Sequence, residues 1–311
     1  MFDFDRPARL LALCPAYRAT PLHRHGPLWI KDEGDRMGLG AFKALGGVHA
    51  AAILLARARG VAPAEVHGTT GPEVLVCASA GNHGLSVATG ARLFGARARV
   101  HLAGSVPEVF ADRLRAKGAD VVRSGATYEA ALAAAQADPT PGAMLLADGA
   151  WPGHEGPPRL VMEGYLTIAA ELAEQMPTPV ERMYVQAGVG GLAAAMAAGS
   201  ARWDHPPEIV VVEPEAAPCL RDSAAAGRPV TVEGPESAMG RLDCKAPSTL
   251  ALEVLEARGV RYEVVSEVEA AAAVDHVADL GHRTTPSGAA GLACCLREGG
   301  AGLCLITEGP A

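Results

Sequence analysis

With 311 residues, 49% of them hydrophobic and 20% charged, the chain has apolar matter for one large or two moderate α/β domains, which excludes a disordered protein. A formal net charge of −8 without any basic block or stripe excludes nucleic acid as a partner. No apolar run reaches the roughly 18 residues of a membrane span, and residues 1–6 lack a signal-peptide layout, so a cytoplasmic protein is expected. Seven cysteines, an odd number with no Cys-x-x-Cys pair, read as neither a disulfide framework nor a zinc site.

In chain order, β-rich runs predict strands at 27–31, 73–78, 99–102, 120–123, 143–147, 182–186, 208–213, 262–265 and 302–307. Alanine-rich runs with helical spacing predict helices at 41–59, 84–94, 108–117, 128–137, 164–175, 192–198, 249–257, 266–279 and 289–296. Strand–helix alternation of this kind predicts parallel sheets in an α/β fold. The turn-rich stretch 148–158 separates two blocks, giving a smaller domain at 46–149 and a larger one from 1–45 and 150–311. Residues 221–245 show little regular pattern.

Three loops in this frame carry chemistry. Lys43 enters a helix after the charged, glycine-rich run 31–40, flanked by Ala41, Phe42, Ala44 and Leu45. A lone lysine is commonly a solvated surface group, but apolar surroundings make an amine lose its proton more easily and become nucleophilic. Ser79-Ala80-Gly81-Asn82-His83-Gly84 joins a strand to a helix and, taken alone, is an N-capping loop. Gly188-Val189-Gly190-Gly191-Leu192 follows another strand, where glycines and helical N–H groups attract an anion. Gly188, Gly190 and Ala193, with Glu213 later, also fit a dinucleotide fingerprint, so a nicotinamide dehydrogenase is a competing reading. An imine-forming lysine, an asparagine loop and a phosphate-holding glycine loop together are what a pyridoxal phosphate (PLP) enzyme needs. The ten histidines are scattered; His23 and His25 are two apart without a partner at metal-ligand spacing, and no metal is expected.

Together these segments resemble the fold type II (β-family) PLP-dependent enzymes, and within it the diaminopropionate ammonia-lyases. The likeness extends through Asp148-Gly149-Ala150-Trp151, Val161-Met162-Glu163-Gly164-Tyr165 and Val212-Glu213-Pro214. It continues in Met239-Gly240-Arg241-Leu242-Asp243-Cys244, Ser287-Gly288-Ala289-Ala290-Gly291 and Thr307-Glu308-Gly309, in the family's order over nearly the whole chain. The resemblance implies a tryptophan synthase β-like fold, two parallel-sheet α/β domains with the cofactor between them, and a homodimer. It implies that Lys43 carries the cofactor and that Gly188, Val189, Gly190, Gly191 and Leu192 cradle its phosphate. Asn82 would bond the ring's 3′-oxygen, Thr307 would face the pyridine nitrogen, and Ser79, Ala80, Gly81, Asn82 and His83 would receive the substrate carboxylate.

Four departures from the family pattern shape the expected activity. Ala80 stands where the lyases carry an aspartate serving the D-substrate, whereas Asp148 remains available for the L-enantiomer. The Ser-Ala-Gly-Asn-His wording is like that of the threonine dehydratases. Pro286 replaces the usual glutamate, and Arg241 replaces a small residue at a position where a guanidinium could recognise a second anionic group on the substrate. The chain also ends a few residues after Thr307. The implied function is α,β-elimination, an ammonia-lyase reaction on a small L-amino acid such as 2,3-diaminopropionate, giving a 2-oxo acid and ammonia. The alternatives are an L-threonine/L-serine dehydratase-like enzyme, a lyase for an anionic β-substituted amino acid, and a non-catalytic PLP-binding regulatory protein.

Overall fold

The computed structural model describes residues 2–310; Met1 and Ala311, which bear on the reading of the two chain ends, lie outside the described residues. The chain opens with a short helix, α1 (Arg6–Leu11), then the antiparallel hairpin of β1 (Leu22–His25) and β2 (Leu28–Asp32), and enters α2 (Lys43–Arg59). There follow β3 (Val74–Cys77), α3 (Asn82–Leu93), β4 (Arg97–Leu102), α4 (Glu108–Ala116), β5 (Ala119–Arg123), α5 (Tyr128–Gln136) and β6 (Ala143–Leu145). The long helix α6 (Gly156–Gln175) leads to β7 (Arg182–Gln186), α7 (Gly191–Ser200), β8 (Glu208–Pro214) and α8 (Cys219–Ala226). The chain closes with α9 (Thr249–Arg258), β9 (Arg261–Val265), α10 (Glu267–Asp279), α11 (Pro286–Arg297) and β10 (Gly302–Ile306). Among the described residues no helix is long and apolar enough to cross a membrane.

The chain divides into two compact units. The first comprises Lys43–Asp148 and His154–Gly164 with the N-terminal segment through Tyr17. Its four strands are all parallel, in the order β5-β4-β3-β6, and β3 is buried at every position. The second comprises Arg18–Phe42, Gly149–Gly153 and the chain from Tyr165 onward. Its six strands run β1-β2-β10-β7-β8-β9, with β1 alone antiparallel to its neighbour. Central β10 reads Gly-Leu-Cys-Leu-Ile and is buried throughout, the continuous apolar run expected inside a parallel sheet.

Each expected strand coincides with one of β2 to β10, which makes the parallel α/β class a finding. The differences have local causes. Helix α11 starts at Pro286, not residue 289, because proline suits the first helical position and Thr285 Oγ1 caps it by accepting from Gly288 N–H at 3.1 Å. Helix α6 begins at Gly156, ahead of the expected 164, with Pro157 and Pro158 in a first turn whose N–H groups need no helical partner. In the irregular stretch, α8 forms where Glu213 Oε1 and Oε2 accept from the N–H groups of Leu220 and Arg221, both at 2.8 Å.

Three charges in the run ahead of Lys43 are withdrawn from solvent. Lys31, Glu33 and Arg36 are fully buried. Glu171 Oε2 accepts from Lys31 Nζ at 2.6 Å and from Arg36 at 2.8 Å, while Glu171 Oε1 takes a second Arg36 bond at 2.6 Å. Glu33 grips the same guanidinium at 2.6 and 2.7 Å. Burying four charges costs desolvation, which this dense mutual pairing offsets.

Candidate active site

In the first unit, chemistry gathers beyond the C-terminal ends of β3 and β6, the usual ligand side of an open parallel sheet. Leu146 N–H extends the pairing of β6 to Val76 O at 2.7 Å and sets the path of the chain into Asp148. Lys43, the first residue of α2, donates from Nζ to Asp148 Oδ2 at 2.7 Å, and both side chains are about one-fifth exposed. Burial alone would raise the Asp148 carboxyl, but Lys43 and His83 outweigh it and hold the group well below the usual carboxylate range. Asp148 is therefore ionised at neutral pH. Its low value depends on the lysine's charge.

The loop after β3 turns through Ser79 and Gly81, whose N–H donates to Ser79 Oγ at 3.3 Å, and α3 begins at Asn82. His83 is buried, and its Nε2 lies 2.8 Å from Leu146 O. A carbonyl only accepts, so Nε2 carries the proton. Burial, aided by Lys43, holds this imidazole below the ordinary histidine range against the opposing pull of Asp148. Nδ1 has no hydrogen-bond partner among the described residues. Burial and Asp148 push the neighbouring Cys77 thiol up to about 12, which keeps it inert at neutral pH.

In the second unit, β7 ends in the glycine loop. Gly190 sits at φ +98, and a Cβ there would lie 2.9 Å from Leu220 Cδ2 and 3.0 Å from Ala251 Cβ. At Gly188 a Cβ would meet Cys244 Sγ at 2.9 Å and Leu242 Cα at 3.3 Å. Ala194 N–H donates to Gly190 O at 2.9 Å as α7 gets under way; the N–H groups before it have no acceptor within the helix. Ser248 steadies the loop by donating its N–H to Val189 O at 3.0 Å, while its Oγ accepts from Ala150 N–H at 2.9 Å.

Gln186 ties this loop to the last strand. Its Nε2 lies 2.6 Å from Gly288 O, 3.0 Å from Leu305 O and 3.1 Å from Thr307 Oγ1. The Thr307 hydroxyl therefore accepts from Gln186 and keeps its own proton to donate. The sequence places Gln186 at the head of the glycine loop but gives it no role, since its one signal is a polar amide closing an apolar strand.

Arg241 is paired within the chain. Its Nη1 lies 2.6 Å from Glu308 Oε1, an oxygen that also accepts from Thr285 Oγ1, and its N–H reaches Ser287 Oγ at 3.2 Å. An incoming anion would have to compete with Glu308. Glu213 is likewise committed: it is fully buried, burial pushes it up to about 7, and both oxygens take backbone donors. Fully buried and holding the start of α8, Glu213 has no exposed surface to offer a ribose hydroxyl, which weighs against the dinucleotide reading.

Taken unit by unit, the donor sets fit the groups of PLP. In the first unit an amine stands beside a carboxylate, as an aldehyde-carrying lysine needs; in the second, helical N–H groups without a side-chain cap suit a phosphate, and Thr307 offers a neutral hydroxyl. The model of the pyridoxal-phosphate dependent enzyme family matches residues 13–302, and the chain belongs to that family. It is 33% identical over 271 residues to the diaminopropionate ammonia-lyase of Salmonella typhimurium strain LT2, covering 78% of this chain and 67% of that protein. It is 31% identical over 210 residues to the human serine dehydratase-like protein, covering 66% of this chain and 61% of that protein. Among solved structures, Escherichia coli diaminopropionate ammonia lyase in complex with an aminoacrylate-PLP azomethine reaction intermediate superposes with a TM-score of 0.86. That likeness has 25% identity and covers 99% of this chain and 89% of the other. The cofactor of the family is PLP, and the fold is the type II fold.

Proposed function

We propose that the chain catalyses α,β-elimination from a small L-amino acid with a β leaving group, such as 2,3-diaminopropionate, yielding a 2-oxo acid and ammonia. The observation that carries this reading is the Lys43–Asp148 pair, 2.7 Å apart, with a neutral, buried His83 beside it. When bound, PLP supplies the electron sink that accepts the pair left by the departing α-proton.

In this reading Lys43 Nζ is the covalent anchor for the cofactor's aldehyde carbon, and once free it takes the proton from the substrate Cα. Asp148 shares that proton, or accepts it directly, and the pair returns it to the β-amine as the carbon–nitrogen bond breaks. The N–H groups of Gly188, Val189, Gly190, Gly191 and Leu192 hold the phosphate. Asn82 bonds the ring's 3′-oxygen, and Thr307 donates to the ring nitrogen. A neutral hydroxyl there leaves that nitrogen less protonated than an aspartate would. The loop Ser79, Ala80, Gly81, Asn82 and His83 takes the substrate carboxylate. Alanine at position 80 cannot receive a proton, which restricts the chemistry to the L-enantiomer. The working enzyme is proposed to be a cytoplasmic homodimer.

A dehydratase acting on L-serine or L-threonine is the second reading, supported by the Ser-Ala-Gly-Asn-His loop and the human relative. A lyase for an anionic substrate is less well supported, since Glu308 already neutralises Arg241 at 2.6 Å. The test is 2-oxo acid formation from L- and D-diaminopropionate, L-serine and L-threonine. Turnover of the L-diamine well above the others supports the proposal. Turnover of the D-isomer equal to the L-isomer refutes the argument from Ala80, and cofactor binding without turnover of any substrate refutes the lyase.

A further inference from the structure

Edge strand β1 places His23 and His25 on one face of the six-stranded sheet, with Arg24 on the other. Register pairs His23 with Ile30 and His25 with Leu28, so Asp32, two residues beyond Ile30, shares that face. His282, in the loop between α10 and α11, comes over it. Its Nδ1 lies 3.0 Å from Asp32 Oδ2 and its Nε2 3.2 Å from His25 Nε2. The His23 ring stands edge-on to that of His282, with centroids 4.7 Å apart and planes at 70°. One donor atom each from His23, Asp32 and His282 lie within 4.8 Å of one another. All of these residues belong to the second unit.

Four-coordinate zinc, with bonds of about 2.0–2.1 Å, sets its ligand atoms roughly 3.3 Å apart. The Asp32–His282 pair, at 3.0 Å, is already near that spacing, and a ring nitrogen of His23, half-buried on the edge strand, lies within 4.8 Å of both ligand atoms. Two imidazoles and a carboxylate suit a zinc-like ion, whereas magnesium and calcium prefer oxygen alone. An outer shell is also present. Asp32 Oδ1 accepts from Gly34 N–H at 2.9 Å, and the second ring nitrogen of His282 faces His25, the kind of tie that orients a ligating histidine. A second cluster, Glu263, Cys294 and Glu298, lacks this character because Arg261 and Arg297 already pair with its carboxylates at 2.7 to 3.0 Å. We propose that His23, Asp32 and His282 bind one divalent transition ion of the zinc type, with His25 as outer-shell partner and water completing the coordination.

The test uses the 311-residue chain with PLP bound, freed of metal by chelator and titrated with Zn²⁺ by calorimetry, with bound zinc counted by mass spectrometry. His23→Ala and His282→Gln are titrated in parallel, with circular dichroism as the check of fold. The expected result is one zinc per chain, at least tenfold weaker in each variant, with no uptake of Mg²⁺. Zinc should also raise the melting temperature of the wild type and not that of the variants. No stoichiometric uptake by the wild type, or equal uptake by a variant that remains folded, overturns the proposal. Should the buried His282→Gln variant fail to fold, His23→Ala, on the sheet edge, decides the matter.

Discussion

Replacing Gly190 with alanine probes the glycine loop where backbone and packing constraints coincide. At φ +98 an L-residue is strained by roughly 1–2 kcal/mol. The new methyl would also press on Leu220 Cδ2 at 2.9 Å and Ala251 Cβ at 3.0 Å, and both neighbours are fully buried. Overpacking of that kind typically costs about 1–3 kcal/mol. The sum is about 2–5 kcal/mol, which in a domain of this size corresponds to a melting temperature lower by about 5–15 °C. Gly188→Ala is the control. It meets Cys244 Sγ at 2.9 Å without the positive φ, so only the packing cost applies and the loss should be smaller. Thermal melts of the cofactor-free proteins read the stability, and titration with PLP by visible absorbance reads phosphate binding, expected to weaken at least tenfold in Gly190→Ala. Wild-type stability and affinity in that variant, or a reversed order of the two, would refute the steric argument.

Four further substitutions have expected outcomes. Asp148→Asn should lower kcat/KM by about 10²–10⁴-fold, the usual contribution of a positioned acid–base group. Lys43→Ala should lower it further by removing anchor and base together; equal losses would contradict the assigned roles. Glu171→Ala leaves Lys31 and Arg36 without their shared carboxylate and should cost about 3–5 kcal/mol in urea unfolding, against near-wild-type stability if the cluster were solvated. Glu213, raised to about 7 in the fold, binds its proton more tightly there than in the unfolded chain. Its stabilising contribution is therefore full below the unfolded value near about 4.3 and is lost as pH rises through about 7. Glu213→Gln should flatten that part of the stability–pH curve, and an unchanged slope would show that Glu213 is not its source.

Local patterns made much of the fold legible. Runs such as Val74–Cys77 and Gly302–Ile306 are apolar because both faces are buried, so each strand declared itself in its own sequence. Strand β1 was missed because Leu-His-Arg-His has no apolar alternation and gains its place only by pairing with β2. Burial of Lys31 and Arg36 was equally hidden, since charges are ordinarily solvated and their partner Glu171 lies well over a hundred residues away in sequence. The glycine loop and Lys43 stood out by composition and flanks. Asp148 came from family likeness alone, for nothing local shows that it meets Lys43, 105 positions earlier. His23 and His25 looked unpartnered because the third histidine arrives from residue 282.

Reduction of the PLP-loaded protein with borohydride, followed by peptide mapping, tests the central claim most directly. The account predicts a yellow protein whose reduced cofactor remains on the peptide containing Lys43, and a Lys43→Ala variant that retains no covalent label. A label on another lysine, or a colourless protein that gains none from added PLP, would contradict it.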